Sequence, residues 1–129
     1  MIKINKVHHM AIICSDYNRS KMFYTQVLGF DMVQETFREE RASYKCDLSL
    51  HGAYTIELFS FPNPPKRLTR PEGTGLRHVA FEVDDVEESA AILAKAGIAT
   101  ENIRVDEITN KKFIFFSDPD GLPIELYEK

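Results

Sequence analysis

The chain has 129 residues, about the length of one domain, and at 43% hydrophobic it can bury a sizeable core. A formal net charge of −4 and a sequence pI of about 5.6 argue against nucleic acid as a partner. No apolar run approaches the ~18 residues needed to span a bilayer, so no membrane partner is expected.

The N-terminus, Met1-Ile2-Lys3-Ile4-Asn5-Lys6, enters a strand pattern directly and has no apolar leader core, so no signal peptide is expected. Cys14 and Cys46 form no CxxC pair and read as reduced thiols, which makes the cytoplasm the expected compartment. Residues 7–14 are predicted as a strand. Asp16 then precedes an amphipathic run, Tyr17 to Leu28, predicted as a helix closed by Gly29. Strands are predicted at 30–37, 43–50 and 54–61, with His51-Gly52 as the turn between the last two. Residues 62–75, PNPPKRLTRPEGTG, carry four prolines and two glycines and read as a loop.

The second half repeats this order. Residues 76–83 read as a strand and Asp85 to Ala96 as a helix, with Asp85 as N-cap, Glu88 at the capping-box position and Gly97 beyond the end. Strands are predicted near 99–105, 111–117 and 122–128, the last two joined by the turn SDPDGLP. Aligning His9 with His78 puts Asp16 on Asp85 at the same offset of 69, and IELF at 56–59 matches IELY at 124–127 at an offset of 68. The chain is thus one unit of about 65 residues, duplicated. The expected fold class is α+β, with two βαβββ modules forming curved sheets around a cavity. The expected organisation is a single domain over 1–129: module one at about 4–61, a loop at 62–75 and module two at about 76–128.

Side chains alternate across a strand. Met10, Ile12 and Cys14 therefore oppose His9, Ala11 and Ile13, and Val79, Phe81 and Val83 oppose His78 and Ala80. In the last strands, Ile56 and Leu58 oppose Glu57 and Phe59, and Ile124 and Leu126 oppose Glu125 and Tyr127. The bulky apolar faces must pack under the helices. Each half then offers one histidine and one glutamate on its helix-free face. A lone strand histidine is usually structural and a lone inward glutamate usually ion-paired. Four at matched positions in two repeats instead read as metal ligands: His9, Glu57, His78 and Glu125. Imidazole with carboxylate suits Zn²⁺, Ni²⁺, Co²⁺, Mn²⁺ or Fe²⁺ and leaves octahedral positions for substrate oxygens. His8 is out of phase with His9 and reads as structural, facing the helix side or the strand edge, with orientation of a neighbouring ligand as the lesser alternative. His51 reads as a solvated turn residue.

The motifs HHMAIICSDYNRSKMFYTQVLGF, RHVAFEVDD and FFSDPDGLPIELYE resemble the vicinal oxygen chelate superfamily, the glyoxalase/bleomycin resistance/dioxygenase group, over nearly the whole chain. The resemblance is closest to small bacterial glyoxalase I-like proteins, and the His, Glu, His, Glu set is that of glyoxalase I. It implies a divalent metal ion (Ni, Zn, Co or Mn) held by His9, Glu57, His78 and Glu125. The implied reaction is a lactoylglutathione lyase-type isomerisation of the hemithioacetal of a 2-oxoaldehyde and a thiol. In that chemistry the metal acts as Lewis acid and a carboxylate moves the proton, Glu125 first and Glu57 as its symmetry mate. The alternatives are another enzyme of the superfamily, an acyl-CoA epimerase or a thiol transferase, or a non-catalytic small-molecule binding protein. Lys66, Arg67 and Arg70, with Arg77 just beyond, would receive the anionic groups of the substrate unless the loop is simply solvated. Phe37, Tyr44, Phe59, Phe61 and Tyr127 are candidates for the apolar wall. A homodimer is expected, with modules pairing within a chain or across a two-fold axis.

Overall fold

Alternation and capping place the elements of each half in the order strand, helix, three strands. In the first half these are β1 (Met10–Cys14), α1 (Tyr17–Met22), β2 (Asp31–Arg38), β3 (Ser43–Leu50) and β4 (Ala53–Ser60). In the second they are β5 (Val79–Val83), α2 (Val86–Lys95), β6 (Arg104–Val105), β7 (Lys112–Ser117) and β8 (Pro123–Glu128). The computed structural model describes all 129 residues, in two units, Met1–Pro65 and Lys66–Lys129. Each unit is a four-stranded mixed sheet, ordered β1-β4-β3-β2 and β5-β8-β7-β6. The first strand runs parallel to the last, and the other pairings are antiparallel. This is the α+β, doubled βαβββ architecture that the repeat predicts.

Each core lies between the sheet and its own helix. Ile12, Cys14, Cys46, Leu48, Ile56 and Leu58 are buried in the first unit with Phe23, Tyr24 and Phe30. Val79, Ile114, Phe116, Ile124 and Leu126 are buried in the second with Val86 and Leu93 of α2. Burying each such side chain contributes about 1.5–3 kcal/mol. This burial holds the two glutamate-bearing strands, β4 and β8, at the centre of their sheets, where they cannot slip without turning Ile56 or Ile124 out to water.

Both helices start as predicted. Asp16 Oδ1 accepts from the Arg19 amide at 3.1 Å, and Asp85 Oδ1 from the Glu88 amide at 2.8 Å. The first helix is not α-helical to Leu28. It widens into a π-helical turn over Phe23–Val27, where the Leu28 amide reaches back five residues to the Phe23 carbonyl. Gly29, at φ 77°, then lets the Phe30 amide close on Tyr24.

Three strands differ from expectation, each for a physical reason. β1 begins at Met10, where its ladder with β4 starts at Ile56, so His8 and His9 lie just before it. β5 begins at Val79 rather than 76, because the guanidinium of Arg67 takes the Leu76 and Arg77 carbonyls. The strand predicted over 99–105 is reduced to Arg104–Val105 and a separate bridge from Thr100 to Phe116. Arg104 pairs with Phe113, so a one-residue register slip separates the two pieces.

Candidate functional site

In the first unit, His9 Nε2 lies 3.1 Å from Glu57 Oε2. In the second, His78 Nε2 lies 3.1 Å from Glu125 Oε2. Each histidine immediately precedes the first strand of its sheet. Each glutamate sits on the adjoining parallel strand, paired with Ala11 or Ala80. An alanine at that place leaves room for the imidazole to reach the carboxylate. The side chains of Glu57 and Glu125 are 15% and 14% exposed, and those of His9 and His78 are 34% and 27% exposed. The carboxylates therefore sit deeper, with the imidazoles over them.

The two pairs differ in their surroundings. The Tyr54 hydroxyl donates to Glu57 Oε2 at 2.5 Å and lies 3.1 Å from Asp47 Oδ1, and Lys45 Nζ lies 2.7 Å from Asp47 and 4.0 Å from Glu57. Glu57 is thus tied into a network of a phenol, an ammonium and a second carboxylate. Burial, and then hydrogen bonds to the two carboxylates, raises the Tyr54 phenol above its ordinary value, so it stays a donor. Glu125 has His78 as its partner and no such network. His78 instead meets the Phe115 ring edge-on at 5.1 Å.

His8 lies against His9 and Tyr54, the placement that the ligand-orienting alternative calls for. It is exposed, its Nδ1 lies 2.7 Å from His9 Nδ1, and its ring packs edge-on to Tyr54 at 5.4 Å. With His9 Nδ1 occupied by that contact, His9 Nε2 is the nitrogen turned to Glu57. His51 is exposed in its turn at φ 49°, as expected.

Each pair offers one imidazole nitrogen and one carboxylate oxygen on an accessible sheet face, a donor set that fits a divalent ion such as Ni²⁺, Zn²⁺, Co²⁺ or Mn²⁺. Within its unit neither pair is joined by a third His, Cys, Asp or Glu at ligand spacing. Each pair alone supplies two donors.

Of the aromatics assigned to the wall, two lie elsewhere. Tyr44 stacks on Tyr17 of α1 at 4.4 Å and Phe37 packs against Tyr44 at 4.8 Å, so both belong to the helix side of the sheet. Phe59 alternates onto the Glu57 face, and the Arg38 guanidinium covers Phe59 and Phe61 at 4.8 and 5.7 Å. Tyr127 shares the face of Glu125, and its hydroxyl donates to Asp106 at 3.0 Å. Alternation along β7 would have found two further residues: Phe113 and Phe115 pair with Tyr127 and Glu125 and lie on that same face.

A cavity of about 810 Å³ opens on this face of the second unit. His78, Glu125, Phe113, Phe115 and Arg104 form its sheet side, and the loop from Arg67 to Gly73 with Arg77 forms its rim. Of the three basic residues assigned to substrate, Arg67 and Arg70 line it and Lys66 does not. Arg67 is committed to the Leu76 and Arg77 carbonyls.

The sequence profile of the Glyoxalase/Bleomycin resistance protein/Dioxygenase superfamily matches residues 6–126. YwkD of Bacillus subtilis is 60% identical over 98% of both chains. The glyoxalase family protein of Enterococcus faecalis has a crystal structure similar to this one, with a TM-score of 0.88, 46% identity and 95% and 97% of the two chains covered. The lactoylglutathione lyase of Haemophilus influenzae is 29% identical over 95% of this chain and 92% of its own. With its doubled βαβββ sheets and a profile match spanning nearly its whole length, the chain belongs to the glyoxalase/bleomycin resistance/dioxygenase superfamily.

Proposed function

We propose that the protein is a metal-dependent lyase of the glyoxalase I type, isomerising the hemithioacetal of a 2-oxoaldehyde such as methylglyoxal and a thiol. One observation carries the proposal: each unit independently sets a histidine Nε2 3.1 Å from a glutamate Oε2 at the same place in its sheet. Two imidazoles and two carboxylates together make the ligand set of such an enzyme. His9, Glu57, His78 and Glu125 would hold the ion. When bound, a divalent ion supplies Lewis-acid stabilisation of the charge that develops on the two adjacent substrate oxygens.

The protein's own work is to move one proton. A carboxylate takes it from the thiol-bearing carbon and returns it to the neighbouring carbon, while the hydroxyl proton passes between the two adjacent oxygens, so a hydroxy-ketone becomes a hydroxy-thioester with no net change of atoms. We assign this transfer to Glu125. The Tyr54 hydroxyl donates to Glu57 and Lys45 Nζ lies 4.0 Å from it, and both contacts hold that carboxylate in place. Glu125 has the imidazole of His78 beside it and no phenol or ammonium restraint of the kind that holds Glu57. Phe113 and Phe115 line its side of the cavity.

The working unit we propose is a homodimer in the cytoplasm, which suits two buried cysteines that form no disulfide. No helix is long and apolar enough to cross a membrane. The test is elemental analysis of purified protein followed by assay of lactoylthiol formation from methylglyoxal with several thiols. Bound stoichiometric metal with thiol-dependent turnover is the expected result. Tight ligand binding with neither metal nor turnover would identify a binding protein instead.

A further inference from the structure

The two halves of the repeat differ in what stands beside the glutamate. In the ladder of β3 with β4, Asp47 pairs with Glu57 and Lys45 with Phe59. In the ladder of β7 with β8, Phe115 pairs with Glu125 and Phe113 with Tyr127. The first half therefore sets an ammonium and a second carboxylate beside its glutamate, and the second half sets two phenyl rings there. The extra cation and the extra anion occur together in one half and are both missing from the other. With Lys45 and Asp47 cancelling, each half keeps one glutamate charge uncompensated. The distances agree with this balance: Lys45 Nζ lies 2.7 Å from Asp47 Oδ1 and 4.0 Å from Glu57 Oε2, in hydrogen-bond contact with the first and outside it from the second.

A lysine carries its charge on a flexible four-carbon stem, so the ammonium moves to whichever carboxylate in reach is open to it. An ammonium seated on Glu57 would occupy lone pairs that a metal ligand needs, and its charge would repel a divalent ion. We infer that Asp47 is a positioning residue of the metal site: it engages Lys45 and so keeps that cation off Glu57, leaving the Glu57 carboxylate open to a divalent ion. Lys45 and Asp47 are alternate residues of β3 and share a face, so the engagement needs no change of backbone. Their side chains are partly covered, at 31% and 19% exposed, where salt and water screen charges less. The inference rests on the reading of His9 and Glu57 as metal ligands. It goes beyond that reading by giving a task to a residue outside the ligand set.

The experiment measures the Ni²⁺ affinity of chelator-stripped protein by competition with a chelating dye, without turnover. Asp47→Ala should lose about tenfold or more, the scale on which losing an outer partner of a metal ligand acts. The deciding variant is the double one. Asp47→Ala with Lys45→Met removes the released ammonium as well as its holder, and affinity should return to within about threefold of the unaltered protein, a coupling between neighbours that independent sites do not show. Circular dichroism and a thermal melt establish that each variant is folded. Should Asp47→Ala not fold, Asp47→Asn with and without Lys45→Met makes the same comparison, with a smaller loss expected. Unchanged affinity in the single Asp47 variant would overturn the inference. So would an equal loss in the double variant, which would make Asp47 a support of Tyr54 and not a holder of Lys45. No metal bound by the unaltered protein would overturn the ligand reading and this inference with it. Metal binding and recovery in the double variant, without thiol-dependent turnover, would refute only the lyase proposal.

Discussion

Tyr54 and Glu57 stand three residues apart on one strand yet share a face of the sheet, the phenol donating to the carboxylate at 2.5 Å. Regular alternation would put them on opposite faces. A bulge prevents this. Leu48 pairs with Ile56, but Ser49 pairs with Tyr54, so Thr55 is an extra residue and Tyr54 is turned toward Glu57. In the second unit Ser117, the repeat of Ser49, pairs with Pro123, which has no donor to offer Glu125. The two halves are alike in fold and differ in how tightly each holds its carboxylate.

Removing that restraint has a measurable consequence. Tyr54→Phe should weaken metal affinity by about 10–100-fold, the usual effect of losing a partner that orients a ligand. Competition with a chelating dye would report it. Unchanged affinity would mean that Tyr54 serves the sheet and not the site.

The carboxylates should separate in kinetics. Glu125→Gln at saturating metal should lose about 10²–10⁴-fold in kcat, because an amide cannot accept the proton. Glu57→Gln should lose metal affinity first and recover much of its activity as metal is added. Equal losses in both variants would show that they share the proton work, and full activity in Glu125→Gln would remove its assigned role.

Metal should also stabilise the fold. At a free concentration a hundred times its Kd, a ligand bound only by the folded state adds about 2.7 kcal/mol, which for a chain of this size raises Tm by about 5–10 °C. Stripping the protein with a chelator should lower Tm by that amount and Ni²⁺ or Zn²⁺ should restore it. His78→Ala should show neither response, and a Tm indifferent to metal in the unaltered protein would count against the ligand set.

Away from the site, Glu35 ties β2 to α1 and should make stability pH-dependent. It receives hydrogen bonds from Lys21 Nζ at 2.8 Å and from the Tyr17 hydroxyl, and the Lys21 ammonium is the larger cause of a carboxyl held below its ordinary 4.5. A depressed folded-state value stabilises above the unfolded value, and that contribution disappears as pH falls through the folded one. Because the pair is solvated, Glu35→Gln should cost only about 0.5–1 kcal/mol at neutral pH. In urea unfolding the gap from the unaltered protein should close progressively below pH 4.5. A gap constant with pH would assign the loss to packing.

Much was determined by the sequence alone, because it depends on spacing. The doubled βαβββ order, both helix starts at Asp16 and Asp85, and the face shared by His9 with Glu57 and by His78 with Glu125 all follow from periods of two and 3.6 residues and from capping chemistry. What spacing cannot reveal is any event that changes the period or joins distant residues. The bulge at Thr55 that turns Tyr54, the slip that shortens β6, and the contact of His8 with His9 each depend on which backbone groups pair across strands. The setting of Lys45 was decided in tertiary structure as well. Charge is visible in a sequence, and so is the face that Lys45 shares with Asp47 by alternation, but both come beside Glu57 only when β3 pairs with β4, because the ladder and not the spacing chooses which residues stand opposite.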